Sequence, residues 1–242
     1  MTDKTAGVVL HCLKYGESSH IVNIYTEASG RLSYIIKVSR GRRGGVRSSL
    51  FHPLSIVEVD AEGRNTAQLR RITEARLLHP LHTLSTDPYK LAITLFLGEF
   101  LHHALREEGT NRPLFTYLMH SIRWLDGCAT ERVSNFHLVF LMRLLCFLGL
   151  YPNLEAYRPG CYFDMLNAEF VFRQPLHSNF LRPDEAASVR VMMRMNYENM
   201  HLFALNRLQR VRCLEVLNEY YRLHLPGFPQ LRSLEVLKEI FV

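Results

Sequence analysis

The sequence has no long apolar run of the kind that a membrane-spanning helix or a signal peptide needs. No stretch approaches about 18 uninterrupted apolar residues, and the opening MTDKTAGVVLHC contains no apolar core of signal-peptide length. We therefore expect a cytoplasmic protein with no membrane partner. At 48% hydrophobic and 21% charged residues, the 242-residue chain can bury a substantial core.

Cysteine is scarce, and its placement excludes two further classes of protein. There are five cysteines, an odd number, and no two of them have C-x-x-C spacing. Neither a disulfide framework nor a cysteine-rich zinc site is indicated. They are Cys12, Cys128, Cys146, Cys161 and Cys213.

The motifs of common enzyme classes are also missing. The sequence has no P-loop, dinucleotide fingerprint, nucleophile elbow or H-E-x-x-H motif. The adjacent pair His102-His103 does not have the i, i+4 spacing of a chelate, and His79 and His82 have no carboxylate or cysteine at ligand spacing. We predict a protein that is not an enzyme and that uses no cofactor and no metal.

Positive charge, in contrast, is concentrated in the first third of the chain. Residues 1–80 contain 12 Lys and Arg against 7 Asp and Glu, whereas residues 81–242 contain 17 against 16. A basic segment joined to a nearly neutral one is typical of a module that binds a polyanion.

The pattern of apolar residues changes along the chain and predicts an α+β fold. Five short strands with turn signals between them indicate a small barrel or sandwich at the N-terminus, and their number fits a five-stranded OB-like β-barrel, which we predict. They are expected at 7–15, 20–27, 31–38, 54–60 and 67–73. From Asp87 the period becomes helical, with capping signals and glycine stops. We predict a barrel domain over 1–80 and an α-helical bundle over 81–242, with an irregular aromatic-rich insert at about 150–178 in which a hairpin turns at Leu166-Asn167.

The densest chemical signal is the segment KVSRGRRGGVR (37–47), which has five cations and no acidic residue. Its glycines restrict the backbone little, so the cations can adapt to a phosphate backbone. Tyr25 or Tyr34, on neighbouring strands, could stack on an unpaired base. The predicted DNA-binding residues are Arg31, Lys37, Arg40, Arg42, Arg43, Arg47, Arg70 and Arg71.

The run from residue 7 to 43 resembles the opening of the RecO family. The resemblance rests on Gly16-Glu17-Ser18, Thr26-Glu27 and Gly30-Arg31 in that order, followed by the basic segment. SLFHPLSIVEV (49–59) and YYRLHLPGFPQLRSLEVL (220–237) extend the similarity along the chain.

This resemblance implies an OB-fold followed by a helical bundle, and a recombination mediator associated with the nucleoid. Such a protein binds single- and double-stranded DNA and anneals complementary strands. With RecR it helps to load RecA onto DNA coated by single-stranded DNA-binding protein, whose acidic C-terminal tail it binds through its helical region. Arg123 and Arg143 are candidate cations for that tail.

One family feature is missing from the sequence. Some RecO proteins have a four-cysteine zinc module after a Leu-Gly-x-x-Pro step. Here Leu148-Gly149-Leu150-Tyr151-Pro152 is present, but the segment after it contains only Cys161. Zinc is therefore predicted to be absent, with Tyr162–Phe172 packed by aromatic burial in its place.

Two alternative functions remain open at this stage. The chain could be an RNA-binding OB protein, or a protein-interaction scaffold in which the basic segment is incidental.

Overall fold

A computed structural model describes residues 2–37, 46–62 and 69–240, and its N-terminal part consists of five strands. All five lie close to the predicted positions, although the first and last are longer than predicted. The strands are β1 (Thr2–Tyr15), β2 (Ser19–Thr26), β3 (Gly30–Lys37), β4 (Ile56–Glu62) and β5 (Arg70–His79).

These strands form a closed barrel in the order β1-β2-β3-β5-β4. The β3–β5 pair is parallel, and the other pairs are antiparallel. This arrangement confirms the predicted OB-like barrel. One face of each strand fills the interior with branched aliphatic and aromatic side chains, among them Val9, Val22, Ile24, Tyr34, Ile36, Val57, Val59 and Ile72. Phe51, from the segment between β3 and β4, packs with them.

Six α-helices follow in the described part of the chain, as the change of period predicts. Asp87 caps the first by accepting hydrogen bonds from the N–H groups of Tyr89 and Lys90, and Pro88 occupies the first helical position. The helices are α1 (Pro88–Ala104), α2 (Arg112–Gly127), α3 (Phe136–Phe147), α4 (Pro183–Arg194), α5 (Arg207–His224) and α6 (Arg232–Ile240).

The helical period of residues 201–225 predicts one helix over that range, but α5 begins only at Arg207. Asn206 and Gln209 form a capping box, in which each side chain accepts a hydrogen bond from the other residue's backbone N–H. Because this cap fixes the first turn, the apolar residues before it lie outside the helix. Serine is a common N-cap residue, so the sequence predicts a cap for α3 at Ser134. This prediction is wrong, because the N-cap residue is Asn135.

The aromatic-rich insert contains the predicted hairpin. Strands β6 (Tyr162–Asp164) and β7 (Glu169–Val171) pair antiparallel, and β8 (Phe180–Leu181) adds a third strand beside β6. Asp164 accepts hydrogen bonds from the N–H groups of Leu166 and Asn167 and so stabilises the turn. The rings of Phe163 and Phe170 pack with their centroids 4.8 Å apart.

The chain divides into two compact units. The first comprises Met1–Gly127 with Leu231–Leu237, and therefore holds the barrel, α1, α2 and most of α6. The second comprises Cys128–Gln230 with Lys238–Val242, and holds α3, α4, α5 and the small sheet. Within the first unit, the carboxylate of Glu99 on α1 accepts hydrogen bonds from the N–H groups of Arg232 and Ser233 at the start of α6.

Candidate nucleic-acid interface

The predicted DNA-binding cations differ widely in their exposure. Three of them are exposed: Lys37 at the end of β3, Arg47 just before the 3₁₀ turn Ser48–Leu50, and Arg71 in β5. Arg31 is half-buried, and the exposed fraction of Arg70 is only 5%. Arg40, Arg42 and Arg43 lie outside the described residues.

Strand register brings Lys37 and Arg71 onto one face. Ile35 of β3 is paired with Arg71 of β5, and Lys37 lies two residues beyond Ile35. Because alternate residues of a strand share a face, both cations point outward from the barrel. Arg70 is paired with the buried Tyr34 instead, so alternation directs it to the opposite side. In this conformation Arg70 offers little surface to a ligand.

Arg31 lies on the outer face of β3, at the end farther from Lys37, where the chain after α1 covers it. Its backbone N–H donates to the carbonyl oxygen of Glu108, 3.2 Å away. Its guanidinium donates to the carbonyl oxygen of Arg106 and to the side-chain oxygen of Asn23, each at 3.4 Å. Burial, with the nearby charge of Arg106, lowers the pKa of Arg31. Arg31 therefore helps to attach the 106–108 segment to the barrel.

The two tyrosines that the sequence suggested as base-stacking residues are both buried, so that expectation is wrong. Tyr34 lies in the barrel core. Tyr25 donates from its hydroxyl to the carbonyl oxygen of Gly109, 3.1 Å away, and burial raises its pKa to about 12. Neither ring is accessible to a base.

Sequence reasoning missed a different aromatic residue, Tyr15 at the end of β1. It is exposed, as is Leu13 two residues earlier on the same face. The alternation of these two residues was visible in the sequence. Because other positions of β1, such as Val9, Leu10 and Cys12, are also apolar, the pattern alone did not reveal which face points outward.

Three histidines cluster where α1 packs on β1, but their arrangement does not indicate a metal site. The ring centroids of His11 and His102 are 4.7 Å apart, and those of His102 and His103 are 4.9 Å apart. Burial is the main cause that lowers the pKa of each ring, that of His102 to about 3. Across the described ranges, no three His, Cys, Asp or Glu side chains are grouped to hold a metal ion.

Cations in the second unit are engaged in different ways. Arg212 donates to Glu185, with nitrogen–oxygen distances of 2.6 and 2.7 Å, and Arg190 lies over the ring of Tyr157. Arg210 donates to Asn135 and to the carbonyl oxygen of Leu205. These contacts favour a structural role for the three arginines. Arg143, on α3, is exposed, as is Arg123 on α2 of the first unit.

Among the residues that the structure describes, none of the helices combines the length and apolar character needed to cross a bilayer.

Comparison with known proteins matches the whole chain to one family. Residues 1–81 match the model described as "Recombination protein O N terminal", and residues 85–235 match "Recombination protein O C terminal". A "DNA repair protein RecO" from Phocaeicola vulgatus is 58% identical over 241 residues, covering 100% of both chains. Proteins with the same name from Bacteroides fragilis and Flavobacterium psychrophilum are 57% and 32% identical, again over 100% of both chains. The two matched models and these full-length similarities show that the chain belongs to the RecO family.

Proposed function

We propose that this protein is a DNA-binding recombination mediator that acts in DNA repair without catalysing a reaction of its own. In this role it anneals complementary strands and, with RecR, helps to load RecA onto DNA coated by single-stranded DNA-binding protein. The observation that carries the proposal is the full-length similarity to relatives named DNA repair protein RecO.

The charge of the barrel supports DNA binding on independent physical grounds. The first 80 residues hold most of the excess positive charge of the chain, and Lys37, Arg47 and Arg71 are exposed there. Arg40, Arg42 and Arg43 lie three to six residues after Lys37 in the sequence. Cations grouped in this way bind phosphates and displace the counterions condensed on DNA.

A salt titration of single-stranded DNA binding tests the proposal. If about six phosphates are neutralised on a single strand, the logarithm of the association constant falls with the logarithm of salt concentration with a slope of about −4. Affinity should then drop by about two to three orders of magnitude between about 50 and 200 mM salt. A slope near zero would contradict this mode of binding.

Charge reversal tests which residues cause the salt-dependent binding of DNA. The triple variant Arg40→Glu, Arg42→Glu, Arg43→Glu should bind single-stranded DNA much more weakly and show a shallower salt slope, by about 0.7 for each lost phosphate contact. The matched control reverses Arg132, Arg173 and Arg222, three exposed arginines of the second unit, and changes the net charge equally. Equal losses in the two variants would show that only net charge matters.

The same experiments address the two alternative functions. A strong preference for RNA over a DNA strand of the same sequence would favour an RNA-binding OB protein. Unchanged DNA affinity and annealing in the triple variant would favour a protein-interaction scaffold.

We propose that the acidic tail of single-stranded DNA-binding protein contacts the helical region, with the exposed Arg123 and Arg143 as candidate cations.

A further inference from the structure

The outer face of the barrel near the β1–β2 turn exposes large apolar side chains. Tyr15 and Leu13 have exposed fractions of 57% and 55%, and both lie on the same side of β1. Exposed aromatic and aliphatic residues are individually ordinary, but a contiguous group of them marks a binding surface.

Strand register shows that this group is contiguous. Leu13 of β1 is paired with Ile21 of β2, which is in turn paired with Ile35 of β3. One row closer to the turn, Tyr15 is paired with Ser19. Because paired residues project from the same face, these side chains form a patch two residues deep and three strands wide.

Cations border the patch along β3 and β5. Ser19 is paired with Lys37, which places this lysine in the same row as Tyr15. Ile35 is paired with Arg71, which places this arginine in the same row as Leu13. Beyond Arg71, its partner Glu62 on β4 is acidic, so the cationic border formed by the described residues ends there. The patch therefore has apolar side chains at its centre and positive charge on one side.

The other end of the same face is not available to a ligand. There the 106–109 segment binds Arg31 and Tyr25, and the rings of His11 and His102 are in contact. The fold thus covers one half of the outer face of β1–β3 and leaves the half near the β1–β2 turn exposed. We call this exposed half, formed by Leu13, Tyr15, Ile21, Ile35, Lys37 and Arg71, the platform.

We propose that the platform binds the unpaired bases of a DNA strand, with Tyr15 stacking on a base while Lys37 and Arg71 contact the neighbouring phosphates. This inference rests on the DNA binding proposed above and adds to it the feature of DNA that is recognised. An exposed ring that shares one face with cations on β3 and β5 fits a polyanion whose bases are unstacked and accessible. In a duplex the base faces are covered by their neighbours, so the platform selects single strands.

Charge complementarity supports this occupant. A single strand presents bases and phosphates side by side at a regular spacing, which matches apolar side chains at the centre of the platform and cations along one side. Base stacking on an aromatic ring also tolerates any sequence, because each base has a flat face. The platform should therefore show little sequence preference.

The decisive experiment compares two single strands of equal length, one natural and one with abasic sites throughout. Both carry every phosphate, and only the natural strand carries bases. The full chain should bind the natural strand at least about fivefold more tightly, the lower limit for stacking of one base.

Variants of Tyr15 test whether the platform causes the preference for the natural strand. Tyr15→Ala should remove most of the preference for the natural strand and leave the affinity for the abasic strand unchanged. Tyr15→Phe keeps the ring and should behave like the unmodified protein. Tyr151→Ala is the control, since Tyr151 is another partly exposed tyrosine, in the second unit, and it should change neither affinity.

Each other outcome overturns a stated part of the account. Equal affinity for the two strands would refute the platform and leave the proposed DNA binding intact. A preference for the natural strand that survives both Tyr15→Ala and Leu13→Ala would place the bases elsewhere and would also refute the platform, leaving the face for a protein partner. Failure to bind either strand would refute the proposed function itself.

Discussion

The ammonium group of Lys90 donates a hydrogen bond to the main-chain oxygen of Asp126, 3.0 Å away, although the exposed fraction of Lys90 is only 2%. The same ammonium donates to the hydroxyl of Thr83 at 2.9 Å. The carboxylate of Asp126 in turn accepts hydrogen bonds from the backbone N–H groups of His82, Thr83 and Leu84. This network holds the segment after β5 against the start of α1 and the end of α2.

Replacing Lys90 should therefore destabilise the first unit. Lys90→Met keeps much of the apolar stem but leaves buried acceptors without their charged donor, which should lower the free energy of unfolding by about 2–3 kcal/mol. Chemical denaturation followed by circular dichroism measures this. Lys14→Met, at an exposed position, is the control and should change stability by less than about 0.5 kcal/mol. Equal effects in the two variants would contradict the importance of the network.

Two glycines have similar backbone angles but different surroundings, so their replacement distinguishes the effect of backbone strain from that of a steric clash. Gly16 and Gly30 have φ values of +71° and +68°, a region that disfavours other residues. An added Cβ would meet nothing within 4 Å at Gly16, but at Gly30 it would lie 2.4 Å from the carbonyl carbon of Gly109.

We expect Gly16→Ala to reduce stability by about 1 kcal/mol through strain alone. Gly30→Ala should cost about 1–3 kcal/mol more, because the backbone around Gly109 must also move. Thermal unfolding of the two variants gives the comparison. Equal losses would mean that the 108–109 segment does not pack against β3 as described.

A buried histidine of the second unit predicts a loss of stability in acid. His137 has an exposed fraction of 1%, and burial, with the nearby charge of Arg210, lowers its pKa from 6.5 to about 3. The unfolded chain therefore takes up a proton as the pH falls through 6.5, whereas the folded chain does not until about pH 3. Stability that is present above pH 6.5 is lost progressively below it.

At pH 5 this one group should account for a loss of up to about 2 kcal/mol relative to neutral pH. The His137→Gln variant cannot be protonated at this position, so its loss of stability between pH 7 and pH 5 should be smaller by that amount. Denaturation at pH 7 and at pH 5 gives the change in the free energy of unfolding for each protein. Comparing these two changes cancels any effect of the substitution on stability that does not depend on pH. Parallel pH profiles for the two proteins would refute the assignment to His137.

Because Tyr25 is buried, we expect its replacement to lower stability without changing DNA affinity, unlike the replacement of Tyr15. Tyr25→Phe removes the hydrogen bond to Gly109 and should lower the free energy of unfolding by about 1 kcal/mol. Because the ring is not accessible, affinity for single-stranded DNA should stay unchanged at a temperature where the protein is folded. A clear loss of affinity in this variant would restore Tyr25 as a candidate base-stacking residue.

The sequence was informative wherever a local signal determined the structure. Alternation and turn residues located all five barrel strands, and the pair Asp87-Pro88 located the start of α1 because capping depends on residues adjacent in the chain. The hairpin at Leu166-Asn167 followed from the same kind of local chemistry.

The sequence was misleading where the burial of a side chain depends on contacts between residues that are distant in the chain. Tyr25 and Tyr34 both lie on apolar strands, and only the closed barrel and the 106–109 segment bury their rings. Arg70 and Arg71 are neighbours of the same type, yet strand alternation buries one and exposes the other. Tyr15 looked like any apolar strand residue until the register placed it in the same row as Lys37, with Ser19 of β2 between them.

We propose that this protein binds single-stranded DNA and brings complementary strands together in the presence of their coating protein. The most direct test measures annealing of complementary strands precoated with the cognate single-stranded DNA-binding protein. We expect the full chain to accelerate annealing and the Arg40→Glu, Arg42→Glu, Arg43→Glu variant to leave the rate unchanged. Annealing no faster than that of the coated strands alone would contradict it.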